Sequence, residues 1–131
     1  WAGQNRGIAL FDDGSCCTSE GLSRSLSLFD QKVTLVTGGP GFHAGFELLE
    51  RVRGCASRIV LLPGTPDWIV SAWSQLSDVR RAGDLKVAAT LALECTPMGG
   101  QVLFSPGCFP SELEHGVTRR GLAFAEEFLD A

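Results

Sequence analysis

Apolar and polar positions along the chain fall into blocks of two lengths. Short, continuously apolar runs occur at 7–11 (GIALF), 33–37 (VTLVT), 58–62 (RIVLL) and 101–104 (QVLF). Each is closed by turn-forming residues: Asp12-Asp13-Gly14, Gly38-Gly39-Pro40-Gly41, Pro63-Gly64 and Ser105-Pro106-Gly107. Apolar runs of this length bounded by Gly, Pro and Asp predict buried β-strands. Longer segments between them carry apolar residues at helical spacing. Segment 18–29 has Leu22, Leu26 and Phe29, and Thr18 or Ser19 supplies a hydroxyl that can accept from the open amides of a first helical turn. Segment 44–52 places Phe46, Leu49 and Val52 on one predicted face. Segment 67–76 follows Pro66, which a helix start tolerates, and carries Trp68, Ile69, Ala72, Trp73 and Leu76. Asp84 caps a predicted helix over 85–94, which Pro97-Met98-Gly99-Gly100 breaks off. The last helix is expected over 117–129 with Phe124, Phe128 and Leu129 inward, whereas 79–82 is too short to assign. Strands alternating with helices predict a three-layer, Rossmann-like α/β domain with a mainly parallel sheet. Strands that are apolar throughout fit helices on both faces.

The 131 residues, 44% hydrophobic and 20% charged, suit one domain with a real core. The formal charge of -4 and the lack of a basic stripe exclude a general nucleic-acid binder. No apolar run reaches the roughly 18 residues that cross a bilayer. No basic-then-apolar segment opens the chain either, so no membrane partner is expected. The first residue is Trp1 and not Met, which suggests an excised or processed piece. Cys16, Cys17, Cys55, Cys95 and Cys108 are odd in number and irregularly spaced, a poor disulfide framework and a poor zinc site. Reduced thiols in a cytoplasmic domain are expected, several of them as small core hydrophobes.

Ligands of open α/β sheets gather at the carboxyl ends of the strands. Three such ends are polar or glycine-rich, at 12–18, 38–43 and 105–111, and side by side they would form one crevice. The stretch GGPGFHAGF at 38–46 has no lysine followed by Ser or Thr, so it fails as a phosphate loop, and its glycines are out of register for a dinucleotide fingerprint. It reads as a glycine-rich turn. Ser15 lies in D-G-S-C-C and not in a nucleophile elbow. Cys108 and His115 stand seven residues apart across a loop, which fixes no nucleophile pair. Glu112 and Glu114 read as complements to a helix dipole. No catalytic residue and no metal ligand is assigned.

Taken in order, the three loops resemble those of the C-terminal domain of the Mur ligases, in particular the branch that adds D-glutamate to UDP-N-acetylmuramoyl-L-alanine. The family's N-D-S-K-A-T-N loop corresponds to LFDDGSCCT at 10–18, and its G-G-x-D-K-x-x-D-F block to VTLVTGGPGFHAGF at 33–46. Its V-L-L-S-P-A-C-A-S turn and E-R-G-x-x-F helix correspond to GGQVLFSPGCFPS at 99–111 and TRRGLAFAEEF at 118–128. The resemblance covers the whole chain. It departs at two family lysines, replaced by Ser15 and Phe42, and Pro110 takes the place of the family serine, with Ser111 one position later. Lys32 and Lys86, the only lysines, read as a turn residue and a solvated helix residue.

The resemblance implies an ATP-dependent, ADP-forming amide ligase of peptidoglycan synthesis in the cytoplasm. Residues 1–131 would be its amino-acid-binding C-terminal domain, and the N-terminal and central ATP-binding domains would lie outside this chain. Asp13, Ser15 and Thr18 would face the nucleotide. Ser105, Gly107, Cys108 and Ser111 would line the site of the incoming amino acid, although Ser111 reads equally as a helix cap. The partners implied are the amino acid, a UDP-muramyl intermediate and the missing central ATPase domain. ATP and Mg would serve the full-length enzyme, with neither held tightly by this chain, and the isolated chain is expected to be inactive. The alternative is a degenerate Mur-like domain kept as a non-catalytic binding or scaffold module.

Overall fold

The computed structural model describes residues 1–76, 78–108 and 117–131. The chain opens with a hairpin of β1 (Gly3–Asn5) and β2 (Ile8–Asp12). Both residues of its two-residue loop, Arg6 and Gly7, have positive φ (56° and 74°), the twist that a tight antiparallel hairpin needs. There follow α1 (Ser19–Leu26), β3 (Val33–Thr37), α2 (Phe46–Cys55), β4 (Ala56–Leu61) and α3 (Asp67–Trp73). Then come β5 (Asp78–Arg81), α4 (Leu85–Cys95), β6 (Gln101–Phe104) and α5 (Val117–Asp130). The strands form one sheet in the order β1-β2-β6-β3-β4-β5. Every pairing is parallel except that of β1 with β2.

Alternation along the strands divides the core in two. Leu35, Ile59, Leu61 and Leu103 point to one face, where Leu22 and Leu26 of α1, Leu48 and Val52 of α2, and Ile69 and Trp73 of α3 cover them. Leu10, Val36, Val60, Val102 and Phe104 point to the other, under α4 and α5. There Phe124 stacks on Phe104 with ring centroids 4.4 Å apart. This is the three-layer α/β architecture the sequence predicts. Helix starts are capped as expected: the Thr18 hydroxyl accepts from the Gly21 amide (3.0 Å) and the Asp84 carboxylate from the Val87 amide (2.8 Å).

The structure corrects four details. β1 and β5 escape the hydrophobic pattern because they are polar edge strands, GQN and DVRR. In α2 the buried pair is Leu48 and Val52, one step round from the predicted face, and Phe46 is 75% exposed. In α3 only Ile69 and Trp73 are buried, four residues apart, while Trp68 faces solvent. Leu129 is likewise turned outward, beyond the Phe124 and Phe128 stripe. Cys16 and Cys108 are buried as core residues. Among the described residues no helix is long and apolar enough to cross a membrane.

Candidate functional site

Insertion of β6 between β2 and β3 brings the three polar strand ends together. The Asp13 carboxylate ties the first of them to the third. One of its oxygens accepts from the Ser25 hydroxyl of α1 (2.6 Å) and from the Ser105 hydroxyl after β6 (2.8 Å). The Asp13 amide donates to the Phe104 carbonyl at 2.8 Å, so backbone and side chain both tie the first loop to the third. The second loop joins through Thr37, whose hydroxyl donates to the Ser105 carbonyl (2.7 Å), and through Gly38, whose amide donates to the Pro106 carbonyl (3.0 Å). The Cys108 thiol reaches the Gly38 carbonyl at 3.3 Å.

A buried arginine of α5 holds the first loop from behind. Arg120 is 4% exposed, and its Nε donates to the Gly14 carbonyl (2.6 Å) and a terminal nitrogen to the Cys16 carbonyl (2.7 Å). Among the described residues its charge is met by carbonyl oxygens and by the Cys17 sulfur at 3.7 Å, with no ion pair. Gly14 and Gly121 make the close approach possible. A Cβ on Gly14 would lie 2.6 Å from the Gly121 Cα. Sequence reasoning passed over Arg120. Its signal was there in the spacing, since Arg120, Phe124 and Phe128 follow at intervals of four and so share the inward face of α5.

Of the residues expected at the nucleotide side, Asp13 is half-buried, and Ser15 and Thr18 are exposed. Those expected at the amino-acid side are deeper. Ser105 is fully buried with its hydroxyl on Asp13, and Cys108 is buried beside Gly38. Gly107 is buried, has φ of 73°, and its amide donates to the Cys16 carbonyl (3.1 Å). Ser111, Glu112, Glu114 and His115 lie outside the described residues. Phe42, at a family lysine position, is 1% exposed and packs edge-on against Trp73 with centroids 5.4 Å apart. No cation can stand there.

The donor set does not suit ATP phosphates or Mg. No lysine stands on any of the three loops. Among the described residues no group of three or more His, Cys, Asp or Glu could hold a metal ion. What the site offers is a carboxylate, Asp13, set in a rigid frame of hydroxyls and backbone.

No protein-family model matches the chain. The UDP-N-acetylmuramoylalanine--D-glutamate ligase of Aquifex aeolicus is 30% identical over 126 residues, 95% of this chain and 30% of that protein. The ligase of the same name from Geobacter sp. (strain M21) is 32% identical over 119 residues, 90% of this chain and 26% of that protein. The chain thus spans less than a third of these relatives' length. Among solved structures, a domain from a Haemophilus ducreyi protein assigned as a UDP-N-acetylmuramate:L-alanyl-γ-D-glutamyl-meso-diaminopimelate ligase superposes with a TM-score of 0.67. That match covers 98% of this chain and 94% of that one, and at 15% identity it speaks for the fold. The same span therefore exists elsewhere as a domain in its own right. With the D-glutamate ligases matching nearly its whole sequence and a ligase domain matching its fold, the chain belongs to the Mur ligases as a C-terminal domain close to their D-glutamate-adding members.

Proposed function

We propose that this chain is the amino-acid-binding domain of an ADP-forming amide ligase that joins an amino acid, glutamate by the relatives' names, to a UDP-N-acetylmuramoyl-L-alanine-type carboxylate in cytoplasmic peptidoglycan synthesis. The observation that carries this reading is the match of 95% of the chain to a D-glutamate ligase. The gathering of the three strand-end loops around β6 supports it, because ligand sites of such sheets form at the carboxyl ends of adjacent strands. The phosphate chemistry then belongs to N-terminal and central domains outside this chain, whose three loops carry no lysine. This chain's part is to orient the incoming amino acid and to exclude water by closing over the reacting carboxylate. Ser105, Gly107 and Cys108 act by shape, since their polar groups are turned inward onto Asp13, Cys16 and Gly38. Direct contact with the amino acid then falls to Ser111.

A domain exchange tests this. The C-terminal domain of the Aquifex aeolicus ligase is replaced by this chain, and phosphate release is measured with UDP-N-acetylmuramoyl-L-alanine, with and without D-glutamate. The reading expects release that requires both substrates. It also expects Ser111→Ala to raise the Michaelis constant for the amino acid several-fold and to leave that for ATP nearly unchanged.

One observation favours a second reading, a non-catalytic binding module. Both family lysines are gone, and at position 42 the replacement is built into the core. A folded chimera that binds its substrates but releases no phosphate would select that reading.

A further inference from the structure

The two faces of the sheet are not covered equally at the hairpin edge. On one face α5 packs against both β1 and β2. On the other, α1 leaves the outer part of β2 open, and a trench of about 630 Å³ runs beside it. Phe11 of β2 and Phe29, just past α1, meet there edge-on with centroids 5.1 Å apart. Trp1 and Leu28 border the trench and are 76% and 78% exposed. Two carboxylates, Asp13 and Asp30, also line it, whereas the Asp12 carboxylate is turned to the other face, on the Gly14 amide and against Gly121 of α5; none of the lining residues is Lys, Arg or His. The trench reaches from Gln101, at the start of β6, to Asp12 and Asp13, at the end of β2. A strand of that length spans about 13 Å, more than a single ammonium group fills.

Chemistry narrows the occupant. Aromatic ring faces attract organic cations, and carboxylates around them add charge-assisted hydrogen bonds. An inorganic ion is a poor fit, because among the described residues no acidic group is arranged as a metal site. A phosphate-bearing ligand would meet the Asp13 and Asp30 carboxylates and no Lys, Arg or His side chain. Exposed Leu28 and Trp1 call for an apolar neighbour beside the cation. We propose that the trench docks an extended segment of a partner polypeptide, which lays an arginine or lysine side chain across Phe11, Phe29 and Trp1 with its charge between Asp13 and Asp30. The same segment sets an apolar residue against Leu28. This does not rest on the ligase reading, since a scaffold domain would use the trench equally.

The test titrates the isotope-labelled chain with the acetylated, amidated peptide Leu-Ser-Arg-Ser-Leu, whose Leu and Arg side chains share one face when extended, and with its glutamine counterpart, Leu-Ser-Gln-Ser-Leu, following amide resonances. The expected result is saturable shifts at 11–13, 28–31 and 101, with the arginine peptide at least tenfold tighter. The double variant Leu28→Ser/Asp30→Lys changes two exposed side chains. It should keep the melting temperature and weaken the arginine peptide at least tenfold. Equal affinity for the two peptides, or shifts confined to other residues, overturns the proposal. So does a response of these resonances to adenosine or ATP but not to the arginine peptide, which would assign the trench to a nucleotide. Concentration-dependent dimerisation that shifts the same residues would assign it to a second copy and overturn it as well.

Discussion

The loops after β2 and after β3 have each lost a family lysine, and the structure gives the two losses opposite meanings. After β2 the loop remains polar. Asp13 gathers the Ser25 and Ser105 hydroxyls, Arg120 holds the backbone from behind, and Ser15 points to solvent. After β3 the loop has been drawn into the core. Phe42 lies among the residues under α1, α2 and α3, against Trp73, and the Gly107 backbone runs close by. The first loss is a surface change that leaves the frame of a site standing. The second is a packing change that removes the place a cation would occupy. Equivalent substitutions in an alignment are therefore not equivalent in the molecule, and reversing them should have very different effects.

The sharpest break in the comparison is Phe42→Lys. It deletes a fully buried ring and sets an ammonium in its place within an apolar cluster. The cost is at least about 4 kcal/mol, a large part of a small domain's stability. Urea denaturation should show a midpoint near zero or no folded baseline, and a transition within 1 kcal/mol of the parent would show that position 42 can reach solvent. Next is Arg120→Met, which keeps most of the side-chain volume but abandons the Gly14 and Cys16 carbonyls. It should lose about 2–3 kcal/mol. Amide exchange should accelerate at 14–17 more than at β3, and a uniform acceleration would mean that Arg120 does not act on the first loop in particular.

Gly14→Ser, which would restore the serine of the family's N-D-S-K-A-T-N loop beside Asp13, should be smaller but still unfavourable, by about 1–3 kcal/mol. The new Cβ would press on the Gly121 backbone, which cannot rotate away as a side chain could. An unchanged melting temperature would show that α5 shifts freely from the loop. The smallest effect belongs to Ser15→Lys. The position is exposed, so stability should stay within about 0.5 kcal/mol. If the chimeric ligase is slow for want of that charge, this variant should raise its phosphate release several-fold. A folded variant with no gain would place the deficit at Phe42 instead.

Local pattern alone determined much of this protein. The four apolar runs became β2, β3, β4 and β6, the capping hydroxyl of Thr18 and carboxylate of Asp84 act where expected, and three polar strand ends were visible as candidate chemistry. These features are legible because burial on both faces of a sheet, or on one face of a helix, imposes a short-range period on the residues themselves. The polar edges β1 and β5 lack that imprint, as each has only one neighbouring strand and little to bury. Only the tertiary structure decided that β6, some 90 residues along the chain from β2, enters between β2 and β3 and so brings three separate loops side by side. It alone decided that Ser105 faces Asp13, that Arg120 reaches back to Gly14, and that Phe42 is core and not mouth. Such contacts join residues whose separation has no period, and they follow from strand order and from which side chains the two half-cores had room to take.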